Sequence, residues 1–268
     1  MSTRTASIDR SLKAPADLRP AGVAQSLALF GIPALMVCLA FYGLRPWLEA
    51  QGYSSIVAYL AALCVPMALM FAAALIAYHR IEGLPLTVQS FATRMRYPRL
   101  AWRDLFWGLG IFIVGMVGYG LMSQLGLLLV KSGALPLPAH LPILADPLAP
   151  FSLSALDAAA GGSIKGQWGV VVLFIVTFFF NIVGEELWWR GYILPRQELA
   201  FGRLAWLIHG LLWAAFHAFK YWDVIGLLPI CLLISFAAQR TQRNWASLIA
   251  HALFNIGGVI LVTLAVMG

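Results

Sequence analysis

Long apolar stretches alternate with short, arginine-bearing polar ones along most of the chain. Ala21–Leu44, Ser55–Tyr78, Leu105–Val130, Gly166–Gly184, Leu204–Phe219, Val224–Gln239 and Trp245–Met267 contain no Asp, Glu, Lys or Arg. A helix needs about 20 apolar residues to cross ~30 Å of hydrocarbon, so the pattern predicts seven membrane helices. The fifth and sixth are short, which tilting or shelter by neighbouring helices accommodates. An eighth crossing arises if part of 131–165 re-enters. The expected fold is all-α, a polytopic membrane helix bundle of seven to eight helices.

The segments between the spans divide the chain. Residues 1–20 are polar and mixed in charge, and the apolar stretch after them is too long for the core of a signal peptide, so an uncleaved first helix is expected. Residues 21–130 hold three spans free of charge, suited to scaffold and lipid contact. Residues 131–165, with the run ALPLPAHLPILADPLAPF, read as a Pro-rich extracytoplasmic loop with short interfacial turns, because repeated prolines cannot continue a helix. Residues 166–268 form the remaining core, and they concentrate the polar groups within apolar surroundings.

Composition supports the membrane class: 61% of residues are hydrophobic and 11% charged, with a mean hydropathy of +0.84, against about a quarter charged in a soluble domain. The net charge of +7 follows topology. With alternating crossings, Arg4, Arg10, Lys13, Arg19, Arg80, Arg94, Arg96, Arg99, Arg103, Arg190, Arg196, Arg203, Arg240 and Arg243 fall on one side, and only Arg45, Lys131, Lys165 and Lys220 on the other. The positive-inside rule then places the N-terminus in the cytoplasm and, with seven spans, the C-terminus outside. No basic cluster on a polar surface suggests nucleic acid. Cys38, Cys64 and Cys231 lie scattered in apolar spans and read as small core residues. Trp188, Trp189, Trp206, Trp222 and Trp245 read mostly as interfacial anchors.

Two glutamates stand at the end of the uncharged run Gln167–Gly184, in the segment Glu185-Glu186-Leu187-Trp188-Trp189-Arg190. An ionised carboxylate at membrane depth costs roughly 2.5–3.5 kcal/mol on the lenient insertion scale, which makes it a functional candidate. Glu186 and Arg190 are spaced i,i+4 and can pair on one face, as ordinary structural material at a helix end. Asn181 and Glu185 form another i,i+4 pair on a different face. The 1.5 Å helical rise from Arg196, Arg203 and Arg243 puts Glu185 roughly 16 Å deep, His217 roughly 21 Å, His251 roughly 12 Å and Asn255 roughly 18 Å. These four residues, from three helices, share one slab of the membrane, and His251 and Asn255 project from one face.

The sequence Glu185-Glu186-x-x-x-Arg190-Gly191, then Trp213-x-x-x-His217, then His251-x-x-x-Asn255 resembles the CPBP family. This is the group of CAAX prenyl proteases and bacteriocin-processing intramembrane endopeptidases, also called the Abi family. The resemblance covers residues 166–267, with the motifs in the family's order on separate apolar segments. One departure is that the second motif usually begins with Phe, where this chain has Trp213. Members cut peptide bonds inside or beside the membrane, and some remove the last three residues of prenylated proteins. The resemblance implies a general base, Glu185, that activates water with help from His217. It implies that His251 and Asn255 polarise the scissile carbonyl and stabilise its oxyanion, with Glu186 and Arg190 in support and Trp213 and Trp189 at the substrate pocket. The chemistry agrees, since amide hydrolysis needs a base for water and donors aimed at the developing charge.

Each residue also has a plainer role available. A lone His217 or His251 reads as a satisfied core histidine, and the functional reading comes from their company with Glu185. His209, eight residues before His217 and off its face, is expected to be structural. Glu185, His217 and His251 together also make a plausible zinc set, although no His-Glu-x-x-His helix is present. The metal question stays open at this point, and a metal-free site that requires no cofactor is the reading preferred. The expected function is an intramembrane endopeptidase acting on a membrane-associated protein or peptide, lipidated or C-terminally sorted, with membrane lipids as its surroundings and a bacterial inner membrane as its location. The rivals are a non-catalytic scaffold or bacteriocin-immunity protein, and a proton-coupled transporter, which would favour duplicated halves and broken helices.

Overall fold

The computed structural model describes residues 18–149 and 152–268. The expected tail charges Arg4, Arg10 and Lys13 lie outside the described residues. The described elements are all helical: α1 Val23–Leu39, α2 Arg45–Ala50, α3 Ser55–Ile76, α4 Val88–Arg94, α5 Trp102–Lys131, α6 Leu153–Ala160, α7 Trp168–Phe179, α8 Leu194–Phe201, α9 Ala205–Phe216, α10 Val224–Thr241 and α11 Trp245–Met267, with short π-helical and 3₁₀ stretches between some of them. The all-α expectation holds, and the protein is an integral membrane bundle. Its outer face is apolar: on α5, Phe106, Val117 and Leu121 are all more than half exposed, as lipid contact requires.

Among the described residues six helical runs are long and apolar enough to cross a membrane, against seven expected spans. The difference lies in the run Trp168–Lys220, whose 53 residues would measure about 80 Å if straight. It folds back at Gly202, where φ is 55° and ψ −125°, a conformation open to a residue without a Cβ. Contacts between Gln197 and His209, Trp189 and Phe216 and Glu185 and Trp213 run antiparallel about that turn. The fourth and fifth expected spans are therefore two legs of one hairpin. The first leg continues past Glu186 to Phe201. Among the described residues of 131–165 no helix is long enough for an eighth crossing. The 131–165 segment instead folds α6, which at eight residues is about 12 Å long. Ser152 caps it by accepting from Ala155 N at 3.1 Å, and Leu156 and Ala159 pack with Ile56, Ile164 and Val262.

Helices α10 and α11 pack on α5, α7 lies between α3 and α11, and α9 packs on α1 and α10. Close approach depends on small residues, as is usual for helices in a membrane. A Cβ on Gly184 would stand 2.7 Å from the Met67 carbonyl oxygen, so only glycine lets the chain before Glu185 lie against α3. At one end of the bundle the acidic groups gather the arginines. Glu82 accepts from both Arg94 and Arg196 at 2.6 Å, Arg96 forks onto Glu198, and Arg243 forks onto Asp104. Two expectations need correction here. Arg190 is not a boundary charge, since it is wholly buried, and Trp189 and Trp222 are core residues, not interfacial anchors.

Candidate active site

Glu185 and Glu186 sit between two π-helical stretches, Phe180–Gly184 and Leu187–Ile193, a kind of wide turn that recurs at functional positions in helices. The two neighbours are steered to different partners. Oε2 of Glu185 accepts from the Trp189 indole at 3.0 Å, one turn on, and from the Trp213 indole at 2.7 Å, across the hairpin. Among the described residues no side chain donates to its Oε1, and Glu185 lines a cavity of about 610 Å³.

Glu186 faces elsewhere. Its Oε1 lies 3.1 Å from Nη1 of Arg190 and 3.0 Å from Nδ1 of His251 on α11, and neither Glu186 nor Arg190 is exposed. The expected Glu186–Arg190 pair is therefore present and takes in His251 as a third member. The Arg190 guanidinium lies 3.5 Å from the Trp213 ring centroid, a desolvated cation–π contact. Trp213 also meets the rings of His217 and His251 edge-on, at 5.8 and 5.3 Å between centroids. One indole thus touches both glutamates' networks and both histidines.

His217 opens the 3₁₀ turn that follows α9. Its Nδ1 is 2.8 Å from the Trp213 carbonyl oxygen. A carbonyl only accepts, so Nδ1 carries the hydrogen, and the neutral ring keeps a lone pair on Nε2. Asn255 gives one amide hydrogen to the His251 carbonyl at 3.0 Å and retains a second. Glu185, His217, His251 and Asn255 all line the same cavity, as does Trp213. Trp189 does not; it stands behind Glu185, stacked on Phe30. His209 is buried away from the cavity against Gln197 and Phe30, in the structural place expected of it.

The donor set bears on the zinc alternative. Among the described residues no three His, Cys, Asp or Glu side chains are grouped to hold one ion. One oxygen of Glu185 is already taken by two indole donors. As arranged, Glu185, His217 and His251 are not gathered around a single ion position.

Two features of the site go beyond the sequence reading. The i,i+4 spacing of Glu185 and Trp189 signals their hydrogen bond, whereas the sequence suggested the pocket or the membrane interface for Trp189. Lys220 counts in the sequence only as an outer charge, yet it lines the cavity, and its three-residue spacing from His217 on a helix end is the signal.

Residues 167–257 match the family model of the type II CAAX prenyl endopeptidases, Rce1-like. The resemblance holds over that segment. It spans the hairpin, α10 and the half of α11 that carries His251 and Asn255, so every group on the cavity's polar side except the supporting walls from α3 and α5 falls inside it. No curated protein and no solved structure matches the chain.

Proposed function

We propose that this protein is an intramembrane endopeptidase that hydrolyses a peptide bond in a membrane-associated protein or peptide, lipidated or C-terminally sorted. The family match supports protease activity at the level of the family. The observation that carries the residue-level reading is the convergence of Glu185, His217, His251 and Asn255, from both legs of the hairpin and from α11, on one cavity.

In this reading a water lies between Oε1 of Glu185 and Nε2 of His217. Glu185 takes its proton as the oxygen attacks the scissile carbonyl. The two indoles hold Oε2 and leave Oε1 as the reacting oxygen. The carbonyl oxygen, turning into an oxyanion, receives the second amide hydrogen of Asn255. His251 gives Nδ1–H to Glu186, so it donates from Nε2 only as an imidazolium; with Arg190 set against Glu186, the charge that balances it is that of Glu185 and then of the oxyanion. Collapse of the tetrahedral intermediate breaks the C–N bond, and Glu185 returns its proton to the departing amine. Donors fixed in place before charge develops supply most of the rate enhancement in many such reactions.

The test is a comparison of protein C-termini in cells carrying wild type or Glu185→Gln, which keeps the shape and removes the base. Substrate termini should revert to their uncut form in the variant. An identical set of termini in both overturns the assignment.

A further inference from the structure

Lys220 is the single Lys or Arg among the described residues lining the 610 Å³ cavity, and Glu185 is the single Asp or Glu. The chemistry above uses the carboxylate and leaves the ammonium without a task. Lys220 closes the 3₁₀ turn that His217 opens, His217–Lys220. In a 3₁₀ helix side chains three apart eclipse, so the two project from one face into the same space. Among the described residues the ammonium has one ionic neighbour, Asp223, at 3.6 Å, beyond hydrogen-bond reach. Asp223 is itself engaged by the Tyr119 hydroxyl at 3.0 Å. Hydrogen-bonding capacity on Lys220 therefore remains for a ligand.

Resting on the endopeptidase reading, we propose that Lys220 binds the free C-terminal carboxylate of the substrate and so selects peptide bonds close to a chain end. Three residues of 3₁₀ helix advance about 6 Å, and the lysine's flexible four-carbon stem extends the reach. An extended peptide advances ~3.3 Å per residue, so the carboxylate lies roughly two to four residues beyond the bond that His217 faces. The opposed charges also fix direction. Glu185 repels a carboxylate and Lys220 attracts it, so the substrate enters with its C-terminal end towards the 3₁₀ turn. Capture of a terminal carboxylate is a recurring mode of peptide recognition, and a charge-assisted bond in an apolar cavity is a strong one.

The experiment uses full-length protein in detergent and a fluorescent S-farnesyl peptide ending Cys-Val-Ile-Met, made as the free acid and as its C-terminal amide. Cleavage is measured with wild type, K220M and K220R. The acid-to-amide ratio of kcat/KM should be about tenfold or more in wild type, fall to about one in K220M and persist in K220R. Binding of both peptides to E185Q and to E185Q/K220M, by anisotropy, reads recognition apart from chemistry and should show the same Lys220-dependent preference. Cleavage of both peptides at equal rates overturns the role of Lys220 and leaves the endopeptidase reading standing. A binding preference that depends on Lys220 without cleavage by wild type supports Lys220 and overturns the endopeptidase reading. A preference that survives in K220M, in either measurement, overturns the proposal.

Discussion

Trp213 donates its indole N–H to Oε2 of Glu185 across 2.7 Å, at the position where the family resemblance implies Phe. A phenyl ring fills the same wall but has no donor. The hydrogen bond fixes the carboxylate's orientation from the opposite leg of the hairpin, so the departure adds a positioning residue. A hydrogen bond to a charged group is worth about 1.5–3 kcal/mol. Trp213→Phe should therefore lower kcat by roughly ten- to a hundredfold with little change in KM. Steady-state kinetics on a cleaved peptide check this, and a kcat within twofold of wild type would remove Trp213 from the positioning of the base.

Glu186 and Arg190 are buried together, so removing one partner strands the other. Glu186→Gln should cost about 3–5 kcal/mol, as breaking a buried pair does, and it also replaces the carboxylate acceptor of His251 by a neutral amide oxygen. The double variant Glu186→Gln/Arg190→Gln should melt above either single variant, because no uncompensated charge is left. Thermal unfolding in detergent measures all three. Additive losses in the double variant would show that the pair does not act as a unit.

Gly184 and Gly110 give a paired test of packing. A Cβ at Gly184 meets a backbone oxygen at 2.7 Å, whereas one at Gly110 meets nothing within 4 Å. Gly184→Ala should destabilise by about 1–3 kcal/mol through overpacking and displace the neighbouring Glu185, lowering activity. Gly110→Ala should be neutral or stabilising by up to about 1 kcal/mol. Melting points that move together would mean that the close approach at Met67 is not what constrains position 184.

The two histidines of α9 and its extension should separate. His209 is buried with Nδ1 2.6 Å from Oε1 of Gln197, so His209→Ala strands a buried amide and costs about 1–3 kcal/mol. The folded fraction should still turn over substrate. His217→Ala should melt close to wild type and lose activity. Activity normalised to folded protein distinguishes them, and equal losses per folded molecule would dissolve the distinction.

Orientation is open to labelling. In a background lacking Cys38, Cys64 and Cys231, a thiol at Ser154, on the exposed side of α6, should react with an impermeant maleimide added outside intact cells. A thiol at Thr93, on the exposed side of α4, should react only after lysis. The opposite pattern would invert the topology derived from the arginines.

The membrane helices were legible because apolar length is a local property, and the Glu186–Arg190 pair was legible because i,i+4 neighbours belong to one helix. Depth counting also brought Glu185, His217, His251 and Asn255 to one level. Which glutamate His251 faces was not legible, because that depends on how α11 is rotated about its own axis against α7 and its extension. That rotation follows packing on α5, where Gly108 and Gly115 lie against Ile249 and Phe254 of α11, far from the glutamates in sequence. The exact turn of the hairpin, at Gly202, was not legible either. Its two legs were legible as separate spans, but the charge-bearing stretch between them read as a linker, whereas the first leg runs on through it to Phe201 before turning at Gly202. Arg190 misled in the opposite direction, because its charge resembles a boundary mark until Glu186 and the Trp213 ring are seen around it.

The placement of His251 and Asn255 on α11, the last of the described helices, bears on biogenesis. Synthesis delivers the hairpin with Glu185 and His217 well before α11 leaves the ribosome. A chain halted before Trp245 carries Glu185 and His217, the proposed base and its partner, but it lacks His251 and Asn255 and leaves Glu186 without its histidine. On the proposed reading, the site is therefore complete only once α11 has docked against α5 and α7, and the earlier helices alone carry no oxyanion donor.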